Sequence, residues 1–210
     1  MADGECPWSV KQGFLDIKHD WLKEDLMPLW PSKPQPRVNP YRGGEETPGS
    51  IRYAFVAFEE GVPAYKFNQK QLEAQQSTKL LEFILEKVVI ETGVLYDCAL
   101  INLCEAGEPS SKLSAHLDNE PNFDHTRDIA SISTTAFHTN PDNGREVVRR
   151  FFINQYPGPK QMMGTAVDVP LRNGDLLVGP LSTHLHGLRP QFKSNLPYCE
   201  SIVITFRKLK

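Results

Sequence analysis

The sequence predicts an α+β fold in which N-terminal helices and a substrate-covering lid precede a double-stranded β-helix, or jelly roll. Three observations predict it. Apolar residues recur at helical spacing before Gly93 and not after it. Beyond Gly93, short strand-like runs alternate with Pro, Gly and Asn turns to the end of the chain, and helices followed by many antiparallel strands is the order of an α+β protein with a double-sheet second part. A length of 210 residues supplies one full core with a terminal elaboration. The expected organisation is one domain, 1–210, with helices and lid over 1–92 and the jelly-roll core over 93–210.

Phe14, Ile17, Trp21, Leu22 and Leu26 recur at helical spacing, which predicts an amphipathic helix over about 12–27, ended by Pro28 and Pro31. Residues 28–50 hold Pro28, Pro31, Pro34, Pro36, Pro40 and Pro48 with Gly43, Gly44 and Gly49, a density that means loop. That loop is a plain connector or a lid whose Lys33, Arg37, Arg42 and neighbouring Arg52 meet phosphates. Residues 51–58 read as a strand and 62–67 as a loop or edge element. Their aromatic residues, Tyr53 among them, pack in a core or stack on a base. Over 77–92, Leu80, Leu81, Ile84, Leu85 and Val88 keep helical spacing and Gly93 stands at the stop position. Strands follow at 99–103, 129–134, 147–153, 167–171, 175–178 and 201–206. Pro141-Asp142-Asn143-Gly144, Tyr156-Pro157-Gly158-Pro159 and Arg172-Asn173-Gly174-Asp175 are the turns between them.

Composition narrows the function classes. The apolar runs, such as Val88-Val89-Ile90, fall far short of the roughly 20 residues that span a bilayer, and mean hydropathy is −0.40. Met1 to Cys6 carries no basic region followed by an apolar stretch, so the expected compartment is cytoplasmic or nuclear. Cys6, Cys98, Cys104 and Cys199 are scattered and read as reduced thiols. A formal charge of −3 argues against a uniform basic field but allows a local basic groove. A monomer is expected. Phosphate-cradling Gly-rich loops, a Gly-x-Ser-x-Gly elbow and a His-Glu-x-x-His helix are all absent from the sequence.

Chemistry is concentrated at His116-Leu117-Asp118. In an extended segment residues i and i+2 point to one side, so this imidazole and carboxylate can meet one metal ion. Downstream, His184 and His186 offer a third ligand, and two histidines with one carboxylate suit non-haem Fe(II) with open positions. Chance alone gives roughly 0.3 His-x-Asp triplets in such a composition. The position of these residues at strand ends, behind the turn and short strand of 173–180, adds what the triplet lacks.

Six blocks occur in a recognisable order: Ile101-Asn102, His116-Leu117-Asp118-Asn119-Glu120, Ile129-Ala130-Ser131-Ile132-Ser133, Gly174-Asp175-Leu176-Leu177-Val178, His186-Gly187-Leu188-Arg189-Pro190 and Thr205-Phe206-Arg207. Together they resemble the AlkB-like branch of the Fe(II)/2-oxoglutarate-dependent dioxygenases, most clearly between Asp97 and Arg207. The resemblance implies that His116, Asp118 and His186 bind iron, with His184 secondary or packing. It implies that Asn102 and Arg207 hold the 2-oxoglutarate co-substrate and that Glu120 lies near the substrate base; Arg52 and Tyr53, from the phosphate and base-stacking readings above, are the further substrate contacts. Glu120 can equally be a solvated carboxylate beside the metal loop.

The last strand departs from the family's Arg-x-Asn-x-Thr-x-Arg, having Ser201 and Val203 in place of the first Arg and the Asn, and Cys104 stands where a Tyr is usual. Ser201 and Cys104 thus occupy the places expected to face the far carboxylate of the co-substrate. A buried carboxylate without a cation is costly, so Arg189, Lys193 or Arg149 replaces the cation, or the pocket takes another co-substrate or none. The activity implied is oxidative demethylation or repair of alkylated nucleic-acid bases with O2, single strands being easier because the base must leave its stack. The alternatives are an Fe(II) oxygenase acting on a small molecule or a protein, and a non-catalytic AlkB-like module.

Overall fold

The computed structural model describes residues 7–35, 37–39, 45–47, 51–67, 70–105, 115–136, 149–155, 157, 166–189 and 200–210. In chain order the elements are β1 (Ser9–Lys11), α1 (His19–Leu26), a 3-10 turn (Met27–Leu29), β2 (Arg37–Asn39), β3 (Glu45–Thr47), β4 (Ile51–Ala57), β5 (Tyr65–Phe67), β6 (Lys70–Leu72) and β7 (Ala74–Gln76). They continue with α2 (Lys79–Thr92), β8 (Cys98–Cys104), β9 (Ile129–Thr135), β10 (Arg149–Asn154), β11 (Ala166–Leu171), β12 (Asp175–Gly179), β13 (His186–Leu188) and β14 (Ser201–Arg207). A seven-stranded sheet has the order β1-β12-β9-β14-β8-β4-β7, and a three-stranded sheet the order β11-β10-β13.

Strand alternation divides the residues of the large sheet between its two faces. One face carries Ala54, Val56, Ala99, Ile101, Leu103, Ala130, Ile132, Ile202, Ile204 and Phe206, which pack with Leu22 and Leu26 of α1 and Leu81, Ile84 and Val88 of α2. The other face carries Ile51, Cys104, Ile129, Leu177 and Val203, which meet Phe151, Ile153, Val169, Leu171 and Leu188 of the small sheet. Two sheets enclosing a core of their own are the expected jelly roll, and the helices cover its outside.

The helix α2 matches its sequence signals. Thr78 Oγ1 accepts from the Leu81 amide at 3.2 Å, and Gly93, at φ 68°, closes the end through its N–H to the Val89 carbonyl. Burial of Leu81, Ile84 and Val88 contributes about 1.5–3 kcal/mol each. The first helix is shorter than predicted. Residues 9–11 instead pair with β12, and the next stretch is tied down where Leu15 N–H donates to the Gly174 carbonyl at 2.9 Å and Gly13 N–H to Asp175 Oδ1 at 2.8 Å. Phe14 and Ile17 still reach the outer core, but Trp21 is 61% exposed beneath the Lys18 ammonium. The apolar spacing from Phe14 to Leu26 therefore spans the start of α1 at His19.

Glycine is required at one turn, that between β11 and β12. Gly174 has φ +76°, and a Cβ there would come within 1.9 Å of the Leu15 carbonyl oxygen. In the segment expected to be a lid, β2 and β3 form an antiparallel pair. The side chains of Arg37 and Arg42 lie outside the described residues, as do the start of the strand expected from 147 and the turn expected at 141–144.

Candidate metal centre

The metal-ligand candidates are brought together by backbone pairing. His116 and His186 form a bridge in which each amide donates to the other's carbonyl, at 2.9 and 3.0 Å. Asp118, two residues on in the same extended segment, donates its amide to the Leu181 carbonyl at 3.1 Å. The segment is therefore fixed at both positions, and its His and Asp side chains share a side. His186 opens β13, whose pairing with β10 sets Ile153 opposite it, and the Phe151 ring stacks on its imidazole with centroids 5.5 Å apart.

His116 Nε2 stands 3.4 Å from Asp118 Oδ1, and His186 Nε2 stands 3.8 Å from Asp118 Oδ2. One ligand atom from each of the three residues lies within 4.8 Å of the others. His186 Nδ1 lies 2.9 Å from the His184 carbonyl. Donation along that bond places the proton on Nδ1 and leaves the Nε2 lone pair directed at Asp118. The His184 side chain turns away, its Nδ1 contacting Thr183 Oγ1 and the Pro180 carbonyl. Asp118 Oδ1 is buried and makes no hydrogen bond. A buried carboxylate with one oxygen toward each of two imidazole nitrogens is a donor set that fits a divalent cation.

Charge in the site is balanced by Arg207, the last residue of β14, which is buried against Asp118 Oδ2 at 2.8 Å. Burial alone would raise the Asp118 carboxyl, but the Arg207 guanidinium and the two histidines hold it well below the usual carboxylate range. Burial pushes the His186 imidazole down to about 4, with His116 acting in the same direction, so it is neutral at pH 7 and able to ligate. Burial would lower Arg207, yet Asp118, Tyr65 and Glu120 keep it above the ordinary value. The guanidinium lies 5.2 Å from the Tyr65 ring and 5.1 Å from the Phe123 ring. Its Nε and one terminal nitrogen make no hydrogen bond although they are buried.

A narrow cleft between the sheets opens beside this group, with about 30 Å³ of free space. Asn102, Tyr53, Val203, Thr205 and Arg207 are among the residues lining it. Ser201 and Cys104 lie farther along the same strand faces, paired opposite each other and fully buried. Arg52 is not in the cleft; alternation turns it to the other face of β4, where Nε donates to Glu105 Oε1 at 2.6 Å. Glu120 accepts from the Tyr65 hydroxyl at 2.5 Å and lines a neighbouring pocket with Phe123 and Asn122.

Arg189, considered as a replacement cation for the far end, is engaged elsewhere. It pairs with Asp168 at 2.9 Å and covers the Phe152 ring on the outside of the small sheet. Lys193 and the side chain of Arg149 lie outside the described residues. Phe123 and Phe151 are not among the residues the sequence marks, and Tyr65 is marked only as one of the aromatic residues of 62–67 expected to pack or to stack on a base. What the sequence does not show is that β5 pairs with β6 outside both the seven-stranded and the three-stranded sheet and brings Tyr65 to Arg207.

No family model and no curated protein matches the chain. Solved structures do. OsALKBH1 aligns with TM-score 0.59 and 15% identity over 96% of both chains. A 2OG-Fe(II) oxygenase-family oxidoreductase from Burkholderia pseudomallei aligns with TM-score 0.58 and 11% identity over 97% of this chain and 86% of its own. A Pseudomonas putida prolyl-4-hydroxylase aligns with TM-score 0.54 and 12% identity over 98% and 94%. At these identities the likeness shows the fold: the chain has the architecture of the 2OG-Fe(II) oxygenases.

Proposed function

We propose that the chain is an Fe(II)- and 2-oxoglutarate-dependent dioxygenase that demethylates alkylated nucleic-acid bases, preferring single strands. The observation that carries the oxygenase reading is a cation site beside an anion site. The unbonded Asp118 Oδ1 faces His116, Oδ2 faces His186 and accepts from Arg207, and Nε and Nη1 of buried Arg207 make no hydrogen bond, Nη1 standing 3.8 Å from Glu120 Oε1. A keto acid needs both, a metal for its keto-carboxylate end and a planar donor fork for its oxygens.

In this reading His116, Asp118 and His186 hold iron, and Asn102 and Arg207 hold the co-substrate. Iron and 2-oxoglutarate, when bound with O2, supply oxidation of an N-alkyl C–H, with succinate, CO2 and formaldehyde as products. The protein keeps His186 neutral and Asp118 ionised, orients the acid through Arg207, and excludes water with Leu181, Leu188, Phe151 and Val203. In this reading Glu120, Tyr53 and Tyr65 contact the base, Tyr53 and Tyr65 lining the cleft and Glu120 the pocket beside it. Nucleic-acid specificity is supported by the ordered sequence blocks and by the likeness to OsALKBH1.

A protein side chain or small molecule is the second reading, favoured by the likeness to a prolyl-4-hydroxylase and by the net charge of −3. Formaldehyde and succinate release on N-methylated single-stranded oligonucleotides tests the first, with His116→Ala as the control. Oligonucleotide binding that weakens with salt is expected. If binding is absent even at low salt while succinate still forms, the second reading replaces the first. Equal succinate background in wild type and His116→Ala would indicate a module without turnover.

A further inference from the structure

Surplus apolar surface is concentrated on the helical layer. Of the six large apolar side chains that are exposed among the described residues, Trp21, Met27, Phe83, Ile90 and Leu95 belong to α1, α2 or the residues just after each helix, and Val167 alone lies elsewhere. Exposed apolar residues scattered singly need no explanation, whereas a grouping on one layer marks an interaction surface. The inner face of α2 is already complete, with Leu81, Ile84 and Val88 buried against the large sheet. Phe83 and Ile90 are therefore surplus to the core. They stand seven positions, about two helical turns, apart on the outward face, 50% and 77% exposed. Between them lie Glu86 and Lys87, and the Lys87 ammonium sits 5.0 Å from the Phe83 ring centroid.

We infer that this face of α2 docks on the same face of a second copy of the chain, the two helices antiparallel about a twofold axis between Glu86 and Lys87. The stripe is self-complementary in that register. Phe83 of one copy meets Ile90 of the other and Glu86 meets Lys87, and the twofold axis makes each contact twice. Apolar ends thus flank a central pair of opposite charges, the kind of pattern that fixes orientation and partner when helices pair. A parallel pairing in register would instead set Lys87 against Lys87 and Glu86 against Glu86. Glu82 falls opposite Glu91, but each is held within its own chain, Glu91 by Lys11 and Glu82 by the Ser77 hydroxyl at 2.6 Å. Leu95 of one copy reaches the level of Thr78 of the other, where the Thr78 hydroxyl donates to Asp25 and so ties α1 to the start of α2. The face of α2 alone, about 20 by 10 Å, is small against the roughly 600–1,000 Å² per copy of a standard interface, so a dissociation constant on the order of 10–100 μM is expected. The metal cleft is lined from the other face of the large sheet, and pairing through α2 does not cover it. The inference is independent of the oxygenase reading and replaces the monomer expected from the sequence.

Sedimentation equilibrium of the full chain across about 5–500 μM is the test, with circular dichroism as the check that each variant is folded. Expected is a reversible rise from one 23.7 kDa chain to two. Ile90→Ser, Lys87→Glu and Glu86→Lys each weaken association by about tenfold or more, because every substitution is met twice across the axis. An equimolar mixture of Lys87→Glu and Glu86→Lys associates at least as tightly as wild type, since both charge contacts of the mixed pair are again between opposite signs. The variant carrying both substitutions recovers self-association for the same reason. Rescue by mixing two defective chains is an outcome that a purely structural role for either residue would not give. A wild-type chain that stays monomeric to about 500 μM, a dimer that tolerates Ile90→Ser and Lys87→Glu, or a mixture that fails to associate overturns the proposal.

Discussion

Arg207→Met is the perturbation with the largest calculable consequence. The guanidinium is the near counter-charge to buried Asp118, 2.8 Å away, with the Tyr65 and Phe123 rings beside it. Removing one member of a buried ion pair costs about 3–5 kcal/mol, because the other charge is left uncompensated. For a protein of this size that lowers the unfolding midpoint by roughly 6–20 °C. A bound divalent cation restores positive charge beside Asp118, so the metal-dependent gain in stability should be greater in the variant than in wild type.

Thermal and urea unfolding, each with chelator and with saturating Mn(II), measure both effects. At a hundredfold excess over its dissociation constant the metal contributes about 2.7 kcal/mol to whichever protein it binds. Co-substrate binding is expected to be lost in the variant even when metal is bound. A metal-free loss below about 1 kcal/mol, or a metal-dependent gain no greater than that of wild type, would refute the electrostatic account of the site.

Two further outcomes follow from the geometry. His186 has its folded pKa depressed to about 4 from an ordinary value of 6.5, chiefly by burial, so between those values the unfolded chain binds a proton that the folded chain does not. Metal-free stability is therefore complete above about pH 6.5 and falls as pH drops toward 4; urea midpoints across that window check it, and a flat profile would contradict it. Gly174→Ala forces a Cβ toward the Leu15 carbonyl at a positive φ and should destabilise by about 1–3 kcal/mol from backbone strain alone, with the clash adding to it; a loss below about 0.5 kcal/mol would show that the turn relaxes freely.

What could be read from the sequence was what local chemistry decides. The stop at Gly93 and the turn at Gly174 sit where their residue types place them. The triad could be found because His116 and Asp118 share a face by alternation, and His186 was preferred by resemblance of its flanking residues. Long-range pairing was not legible. The three-residue strand β1 and the shortening of α1 depend on bonds to Gly174 and Asp175, far along the chain. Arg52 could have been separated from Tyr53 by alternation, since neighbours on a strand face opposite ways. The same rule would have marked Ser131 and Ser133 as inward-facing groups within an otherwise apolar run, a polar signal that the apolar residues concealed.

Metal stoichiometry tests the central claim most directly. Mn(II) binding followed by calorimetry and electron paramagnetic resonance should give one tightly bound ion per chain. Binding should be lost in His116→Ala, Asp118→Ala and His186→Ala, and retained in His184→Ala, which preserves the carbonyl that orients His186. Binding that survives His186→Ala, or is absent from the wild-type chain, would contradict a shared cation among these three side chains.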